Sequence, residues 1–309
     1  MVDKADFIWF DGELVPWDSA NVHVLTHTLH YGLGAFEGIR CYQRADGRSA
    51  IFRLQDHIER LVHSCRIVTL TSRYSVAELV DACVETVRAN KLESCYLRPL
   101  IFVGDGAMGL YAIDNPIRTA IITWKWGAYL GDEGLNNGIR AQVSSLQRAG
   151  VNSSFARGKL IGQYIISIMA KREAVRSGYH EAILLGPQGY VAEASGENIF
   201  MVKGNRVYTP SLSSPILAGI TRDTSLTLLR EMGFEVMEHS FTRDDMYIAD
   251  EIFFTGTAAE VTPVREIDTR VIGEGRPGPV TKALQERYFD VVRGSAEDHP
   301  EWLTFVDGM

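Results

Sequence analysis

The apolar residues of the chain recur with two periods, which predict where its strands and helices lie. Two short apolar runs surround Asp11-Gly12, a strong signal for a tight turn, so a β-hairpin over residues 8–17 is predicted to open the chain. Short apolar runs bounded by turn residues predict further strands at 95–103, 120–126, 182–185, 198–202, 206–209 and 251–254.

Apolar positions three and four residues apart predict helices between these strands. Ser75 followed by Glu78 is a capping-box pattern, which opens a helix that ends near Asn90. The predicted helices cover 52–62, 75–90, 160–177, 221–232 and 279–293. The apolar positions of the helix at 160–177 are Ile161, Tyr164, Ile165, Ile168 and Met169. Helices and hairpins do not alternate as β-α units, so the predicted class is α+β rather than doubly wound.

One glycine-rich stretch predicts a division of the chain into domains. Residues 127–138 carry four glycines and no apolar periodicity, which is typical of an interdomain loop. A small N-terminal domain then covers residues 1–126 and a large domain covers residues 139–309. The total length of 309 residues fits two domains.

Composition and charge exclude several kinds of partner. Hydrophobic residues make up 46% and charged residues 23%, as in an ordinary globular protein. The net charge of -8 argues against nucleic acid, and no apolar run approaches the roughly 18 residues of a membrane span. We therefore expect a cytoplasmic protein. The four cysteines and eight histidines are spaced in ways that indicate neither a disulfide framework nor a metal site.

The candidate chemistry begins with a lysine and a distant glutamate. Lys159 lies among small and apolar residues, and Glu193 opens a run of small polar residues that leads into a strand. A desolvated lysine has a lowered pKa, so its neutral amine can form a Schiff base, while a carboxylate can hold a pyridine nitrogen protonated. This combination predicts pyridoxal 5'-phosphate as the cofactor. An isolated lysine is more often a surface side chain, so the prediction depends on the neighbouring residues.

Two glycine turns predict a phosphate site. Gly219 and Thr221 lie at the start of a predicted helix, where free backbone N–H groups favour an anion. Gly256 and Thr257 follow a predicted buried strand and offer the same close backbone approach and hydroxyl. A threonine at a helix start is commonly a plain N-cap, so the two turns are meaningful only together.

Six motifs, in this order and approximate spacing, carry a resemblance to a known family. They are Tyr31-Gly-Leu-Gly-Ala-Phe-Glu-Gly-Ile-Arg40, Tyr96-Leu-Arg98, Lys159, Glu193-Ala-Ser-Gly-Glu-Asn198, Leu217-Ala-Gly-Ile-Thr221 and Gly256-Thr-Ala-Ala-Glu260. Over nearly its whole length, the chain resembles the class IV aminotransferases, and among them the bacterial branched-chain amino acid aminotransferases. The resemblance implies a two-domain fold type IV enzyme, similar to D-amino acid aminotransferase. Its small N-terminal domain is α/β, and its large cofactor-binding domain has a β-barrel-like core.

The resemblance also implies which residues hold the cofactor. Lys159 would be the catalytic Schiff-base lysine, Glu193 would pair with the pyridine nitrogen, and Tyr164 would bond the phenolic oxygen. The residues implied for the phosphate and the ring face are Arg60, Leu217, Gly219, Ile220, Thr221, Gly256 and Thr257.

The substrate residues follow from the same resemblance. Arg98 would meet the distal carboxylate of 2-oxoglutarate, and Arg40 would form an ion pair behind the substrate. The implied substrate residues are Tyr31, Phe36, Gly38, Arg40, Tyr96, Arg98, Met108, Gly109, Leu110, Tyr129, Thr257, Ala258 and Ala259. Tyr31 and the loop 108–110 would come from a neighbouring subunit. The implied partners are amino acids, 2-oxo acids and further copies of the chain, as a homodimer or a larger assembly such as a hexamer.

The predicted function is transamination of leucine, isoleucine and valine with 2-oxoglutarate by a ping-pong mechanism. The alternatives are a D-amino acid or (R)-amine transaminase of the same fold and a catalytically silent binding protein for pyridoxal phosphate. Leu160 and Ile161 are bulkier than the residues expected after the lysine in this family. They either reshape the pocket wall or pack locally.

Overall fold

The computed structural model describes residues 2–127, 130–296 and 298–307, so the predicted substrate residue Tyr129 lies outside the described residues. The strands are β1 Phe7–Phe10, β2 Glu13–Pro16, β3 Gly34–Phe36, β4 Ile39–Gln43, β5 Ser49–Phe52, β6 Cys95–Val103, β7 Ile117–Trp124, β8 Ile139–Gln147, β9 Glu181–Leu185, β10 Val191–Ala194, β11 Asn198–Lys203, β12 Arg206–Thr209, β13 Glu235–Glu238, β14 Glu251–Gly256, β15 Glu260–Ile267, β16 Arg270–Val271 and β17 Leu303–Phe305. The α-helices are α1 His27–Tyr31, α2 Leu54–Ile67, α3 Val76–Ala89, α4 Gly131–Asn137, α5 Tyr164–Arg176, α6 Ile220–Glu231, α7 Arg243–Tyr247 and α8 Pro279–Arg293.

The chain forms two compact units. Unit 1 comprises Met1–Trp126, Gly158–Gln163 and Asp290–Met309, and unit 2 comprises Gly127–Arg157 and Tyr164–Phe289. The short segment that carries the candidate lysine therefore belongs to unit 1, although unit 2 residues flank it in sequence. The predicted division into domains at residues 127–138 stays a prediction.

Unit 1 contains an antiparallel sheet in the order β17-β5-β4-β6-β7-β1-β2, with β3 also paired to β6. The predicted opening hairpin is confirmed, and both turn residues, Asp11 and Gly12, have positive φ angles of 51° and 107°. Helices α2 and α3 contribute apolar side chains to the same buried core as β4 and β6, because their apolar residues recur on one face.

The two predicted helices of unit 1 are confirmed, and their ends follow from local chemistry. The capping box at the start of α3 is complete: the Glu78 amide donates to Ser75 Oγ at 3.3 Å, and Glu78 accepts from the Ser75 amide at 2.7 Å. Helix α2 begins after Arg53, whose φ of 52° breaks the preceding strand.

Unit 2 contains a mixed sheet in the order β10-β9-β8-β15-β14-β11-β12-β13, with β16 also paired to β15. The parallel pairs are β8 with β9, β8 with β15 and β12 with β13, and the other pairs are antiparallel. The predicted α+β class is confirmed, because neither sheet is built from regular β-α units.

The loop predicted at 127–138 is wrong in its local structure, since α4 occupies Gly131–Asn137. Its glycines give no local helix signal, but Gln285 of α8 donates to the carbonyl of Leu135 at 3.0 Å. A tertiary contact thus satisfies a backbone group that the local sequence cannot. Among the described residues, no helix is both long and apolar enough to cross a membrane.

The helix predicted at 160–177 begins four residues later than expected, at Tyr164. Leu160 is instead buried in the core of unit 1 and forms a bridge with Ala35. The predicted apolar face of this helix is also not buried within the chain, because Ile165 is 66% exposed and Met169 is 46% exposed. Small residues such as Ala170 form the buried face.

Candidate active site

The backbone of Lys159 is fixed on both sides within unit 1. Its amide donates to Ser64 Oγ of α2 at 2.9 Å, and its carbonyl accepts from the Phe36 amide of β3 at 3.1 Å. The half-buried side chain places Nζ 5.0 Å from the centre of the Phe36 ring. The lysine is thus anchored by a helix and a strand rather than by a helix of its own.

The bulky residues after the lysine pack locally. Leu160 lies in the unit 1 core, and Ile161 lies against Gly34, where an added Cβ would be 2.7 Å from Ile161 Cδ1. Of the two outcomes considered from the sequence, these contacts favour packing over a reshaped pocket wall.

The carboxylate of Glu37 lies at the centre of a buried network beside this segment. Arg60 of α2 grips it with two bonds, Nε to Oε1 at 2.7 Å and Nη2 to Oε2 at 2.8 Å. His57 Nδ1 lies 2.7 Å from Oε2, and the Gly38 amide donates to the same oxygen at 3.2 Å. Glu37 is fully buried, so every one of these bonds is shielded from water.

The protonation states of this network follow from opposing effects. Burial would raise the pKa of Glu37, but the Arg60 guanidinium and the hydrogen bonds from Arg60 and His57 hold it well below its usual range. Burial lowers the pKa of His57 despite the nearby carboxylate, so the imidazole is neutral at pH 7 and donates Nδ1–H.

Arg98 of β6 lies in an aromatic surround. Its guanidinium carbon is 4.7 Å from the centre of the Phe36 ring, 5.4 Å from that of Tyr96 and 5.7 Å from that of Trp124. Arg98 Nε is buried without a hydrogen-bond partner in the described part of the chain. A buried unpaired guanidinium nitrogen beside aromatic faces suits a carboxylate ligand.

Gly38 makes room for Tyr96. A Cβ at Gly38 would lie 1.8 Å from the Tyr96 hydroxyl oxygen, so any larger residue there would force the Tyr96 ring to move. Arg40 pairs with Tyr96 across β4 and β6, is buried, and donates to the Trp126 carbonyl at 3.4 Å. The predicted residues Gly38, Arg40, Tyr96 and Arg98 are thus brought together in unit 1.

The predicted intersubunit residues lie on an exposed part of unit 1. His27 of α1 donates from Nε2 to the Gly109 carbonyl at 2.8 Å, which joins α1 to the loop 108–110. Tyr31, at the end of α1, is 45% exposed, and Leu110 is 92% exposed. The structure leaves these side chains facing away from the core of their own unit.

Glu193 of β10 is held in unit 2 by an arginine and a backbone amide. Arg148 Nε lies 3.0 Å from Oε1, an ion-pair distance without hydrogen-bond alignment. Oε2 accepts from the Leu217 amide at 3.0 Å and from Asn198 Nδ2 at 3.4 Å. The Glu193 side chain is 10% exposed, whereas that of Glu37 is fully buried.

The predicted phosphate turn before α6 is built around Asn198. Asn198 Nδ2 donates to the Leu217 carbonyl at 3.0 Å, and a Cβ at Gly219 would lie 2.0 Å from Asn198 Oδ1. Gly219 is the N-cap of α6, followed by the buried residues Ile220 and Thr221. The first-turn amides of this helix have no intrahelical acceptor and suit an anion.

The second predicted turn joins β14 to β15. Gly256 pairs with Glu260 across the hairpin, which leaves Thr257, Ala258 and Ala259 as the loop. Thr257 and Ala258 are half-buried, and Ala259 is buried. Glu260 adopts a φ of 56°, a conformation that tightens the turn.

A further buried carboxylate, Glu197, lies behind this turn. A Cβ at Gly256 would be 3.3 Å from Glu197 Cγ, and the Gly196 amide donates to Glu197 at 3.0 Å. Burial, together with the Glu181 carboxylate, raises the pKa of Glu197 to about 8. Tyr164 is half-buried at the start of α5, and its predicted role stays a prediction.

Sequence reasoning missed several residues of these clusters. Glu37 and Asn198 stood inside the quoted motifs without an assigned role. Trp124 and Trp126 could have been found, because residues two apart on the predicted strand 120–126 share a face. Both rings contact Tyr96, with ring centres 5.0 and 4.5 Å away, although β7 itself ends at Trp124. Arg148 had no sequence signal, since a surface arginine is the ordinary expectation.

Comparison with known proteins places the chain in a class. The profile of the family "Amino-transferase class IV" matches residues 34–267, which is more than half of the chain. The chain belongs to this family.

The particular relatives agree with one another. The branched-chain-amino-acid aminotransferase of Pseudomonas aeruginosa is 53% identical, over 99% of this chain and 99% of that protein. The crystal structure of the Escherichia coli branched-chain amino acid aminotransferase superposes with a TM-score of 0.96 at 46% identity, over 98% of this chain and 100% of that one. The branched-chain amino acid aminotransferase of Thermobaculum terrenum, solved in its PLP-form, gives a TM-score of 0.92 at 35% identity, over 99% of each chain.

Proposed function

We propose that this aminotransferase moves the amino group of leucine, isoleucine or valine to 2-oxoglutarate, with pyridoxal 5'-phosphate as cofactor. The products are the branched 2-oxo acid and L-glutamate. The observation that carries the proposal is 53% identity to a branched-chain-amino-acid aminotransferase over 99% of both chains. The alignment covers 99% of this chain, so it includes the stretch from Tyr31 to Glu260 that carries the motifs.

The donor groups of the described residues fit this cofactor, which carries a phosphate, a phenolic oxygen and a ring nitrogen. Glu193 offers a carboxylate to the ring nitrogen, and the α6 amides with Thr221 offer donors to the phosphate. Arg60 adds a planar cation suited to phosphate. We propose the remaining cofactor roles as the sequence implies them, with Tyr164 at the phenolic oxygen and Leu217, Gly219, Ile220, Gly256 and Thr257 around the ring and phosphate.

The mechanism assigns the proton transfers to one residue. When bound, the cofactor supplies the electron sink that stabilises the charge left on the substrate Cα. Lys159 Nζ would take the proton from the Cα of the amino donor as general base in the first half-reaction, and in the second it would deliver a proton to the Cα of the new amino acid as general acid. The two hydrogen bonds to its backbone fix the point from which the Lys159 side chain extends. The carboxylate of Glu193 favours a protonated ring nitrogen, which strengthens the sink.

The substrate residues divide into an apolar and a polar group. Phe36, Tyr164 and Tyr129 would line the apolar wall around the aliphatic side chain and exclude water. Arg98, whose Nε is buried and unpaired among the described residues, would bind the second carboxylate of 2-oxoglutarate. We propose that Tyr96 and the Thr257–Ala258 backbone bind the α-carboxylate.

The proposal is tested by two additions to the purified holoenzyme. L-leucine is expected to bleach the visible absorption of the bound cofactor, and 2-oxoglutarate is expected to restore it. A band bleached by D-alanine or an (R)-amine, but not by L-leucine, would contradict the substrate assignment. A protein that acquires no band with added pyridoxal phosphate would contradict the whole proposal.

We further propose that a second copy of the chain covers its exposed apolar residues, as a homodimer or a larger homo-oligomer. Helix α5 exposes Ile165 and Ile168, and α1 with its loop exposes Leu29 and Leu110. Exposed apolar residues one helical turn apart, such as Ile165 and Ile168, are typical of an interaction surface. We also infer a cytoplasmic location, which the four buried free cysteines support.

Light scattering tests this assembly. The wild type is expected to have at least twice the mass of the 34.4 kDa chain, and Ile165→Glu is expected to shift it towards the monomer, because an apolar interface does not accept an unpaired charge. Lys203→Glu, on an exposed strand end, is the matched control. A wild type that elutes as a monomer at micromolar concentration would refute the assembly.

A further inference from the structure

We propose that Glu37 is a positioning residue that fixes the Arg60 guanidinium for the cofactor phosphate, and that His57 fixes Glu37 in turn. The inference rests on the proposed function, in which Arg60 binds that phosphate. It adds two residues, Glu37 and His57, that would act on the cofactor without touching it.

The ion pair fixes the orientation of the guanidinium. Two nitrogens of Arg60 reach the two oxygens of Glu37 at 2.7 and 2.8 Å, a parallel arrangement that holds the guanidinium in one plane. The Arg60 side chain is 14% exposed, and Glu37 is not exposed at all. Glu37 binds Nε and Nη2 of Arg60. Because the guanidinium is planar, this contact also sets the direction in which Nη1 points.

The carboxylate of Glu37 is itself held in one orientation. Oε2 accepts from three donors, which are Arg60, His57 and the Gly38 amide. His57 is 1% exposed and lies on α2, one residue before Ile58 of the unit 1 core. Both carboxylate oxygens are used in these bonds, so Glu37 suits a positioning role rather than contact with substrate.

Ser64 and Phe36 connect this pair to Lys159. Ser64, one helical turn after Arg60, donates to the Arg60 carbonyl at 2.8 Å and accepts from the Lys159 amide at 2.9 Å. Phe36, the residue before Glu37, donates from its amide to the Lys159 carbonyl. Helix α2 and the adjacent residues Phe36 and Glu37 therefore hold both the lysine and the arginine.

The ion pair is expected to increase the affinity for phosphate by preorganising the Arg60 side chain. A mobile arginine loses rotamer freedom when it binds phosphate, whereas Arg60 is already immobilised before the phosphate arrives. The negative charge of Glu37 opposes this gain, because it weakens the attraction of Arg60 for an anion. The two effects predict opposite results for removal of the charge, so an experiment can separate them.

The experiment titrates the apoenzyme with pyridoxal 5'-phosphate and, separately, with pyridoxal, which lacks the phosphate. Glu37→Gln is expected to raise the Kd of pyridoxal phosphate about 10- to 100-fold, as for loss of a charge-assisted hydrogen bond, and to leave that of pyridoxal within about twofold. Turnover at saturating cofactor is expected to stay within a few-fold of the wild type. Asp56→Asn is the matched control, because Asp56 also lies on α2 and pairs with an arginine, Arg53 at the N-cap, but is 41% exposed.

Three results would overturn the inference: unchanged affinity in Glu37→Gln, tighter binding of pyridoxal phosphate, or equal weakening of both ligands. If Glu37→Gln does not fold, Glu37→Asp keeps the charge and shortens the reach, and is expected to weaken phosphate binding about 3- to 10-fold. Arg60→Lys tests the phosphate-binding role of Arg60, on which the positioning role of Glu37 rests. If that variant binds pyridoxal phosphate like the wild type, the role proposed for Arg60 fails, whereas sensitivity to Arg60→Lys without sensitivity at Glu37 refutes the inference alone.

Discussion

Two buried glutamates, Glu37 of unit 1 and Glu197 of unit 2, have neighbouring groups of opposite charge. In unit 1, Glu37 is fully buried against Arg60, and its pKa is held well below the usual range although burial opposes this. In unit 2, Glu197 is 5% exposed, lies near the Glu181 carboxylate, and has its pKa raised to about 8. Burial is nearly the same for both, so the neighbouring charges determine the protonation state.

This contrast matches two kinds of chemistry. In the proposed function, Arg60 and Arg98 of unit 1 offer cations to phosphate and carboxylate groups. In the same proposal, Glu193 of unit 2 offers an anion to a protonated ring nitrogen. Substitutions in the two units should therefore impair the enzyme in different ways, which kinetics and cofactor titration can tell apart.

The largest effect is expected in unit 1 at the lysine. Lys159→Ala is expected to lower the rate of transamination of L-leucine by on the order of 10⁴-fold or more, because the general base and the covalent anchor are both removed. Lys203→Ala, a lysine in an exposed ion pair of unit 2, is the control and should keep full rate. Turnover near the wild-type rate in Lys159→Ala would remove this residue from the mechanism.

The next effect should appear in unit 2 at Glu193. Glu193→Gln is expected to reduce kcat about 10- to 100-fold, as for loss of a charge-assisted hydrogen bond to the ring nitrogen. The contrast with Glu37→Gln is the informative part, because that variant should change cofactor affinity rather than kcat. Steady-state kinetics at saturating pyridoxal phosphate measure kcat for both variants, and titration of the apoenzymes measures their affinity for the cofactor. Equal losses of kcat in Glu193→Gln and Glu37→Gln would contradict the proposal that the first residue affects kcat and the second affects cofactor affinity.

Two glycines, Gly38 in unit 1 and Gly219 in unit 2, allow smaller and more local effects to be compared between the units. A Cβ at Gly38 would strike the Tyr96 hydroxyl at 1.8 Å, and one at Gly219 would strike Asn198 Oδ1 at 2.0 Å. Gly38→Ala is expected to raise KM for L-leucine about 10-fold, and Gly219→Ala to raise the Kd of the cofactor by a similar factor, as for overpacking of about 1–3 kcal/mol.

The control for both is Gly127→Ala, because a Cβ there meets nothing within 4 Å. Substrate kinetics and cofactor titration are measured for all three variants. The assignment fails if Gly38→Ala changes cofactor affinity and leaves KM unchanged, or if the control behaves like either variant.

The sequence predicted the elements that depend on local signals. The hairpin at Asp11-Gly12 and the capping box at Ser75 lie where they were expected, because both are set by residues next to each other in the chain. The helix α4 and the start of α5 were not predicted, since they depend on distant partners such as Gln285 and Ala35. Local pattern and tertiary contact disagree at these two places.

The candidate site divides in the same way. Family motifs indicated Lys159 and Glu193, but the residues that hold them, Ser64 and Arg148, come from distant elements without a distinctive pattern. Charge networks cannot be read from spacing, because their members meet only in the folded chain. The roles of the site residues, including those of Tyr129 and Tyr164, stay predictions from the family resemblance.

The smallest effect concerns stability rather than catalysis, and it tests the unit 2 side of the comparison directly. Between pH 4.5 and about 8, Glu197 is protonated in the folded chain and ionised in the unfolded chain. Unfolding therefore releases a proton, and this group lowers stability progressively as pH rises through that window, with no further change above it. Glu197→Gln carries no such proton, so its Tm should exceed that of the wild type by a gap that widens from pH 5 to pH 8 and reaches a few degrees. Glu235→Gln, in an exposed pair with Arg206, should show no widening gap. A gap that stays constant across this range would mean that the buried Glu197 is ionised like an ordinary glutamate, and that the two units do not differ in the way their neighbouring charges require.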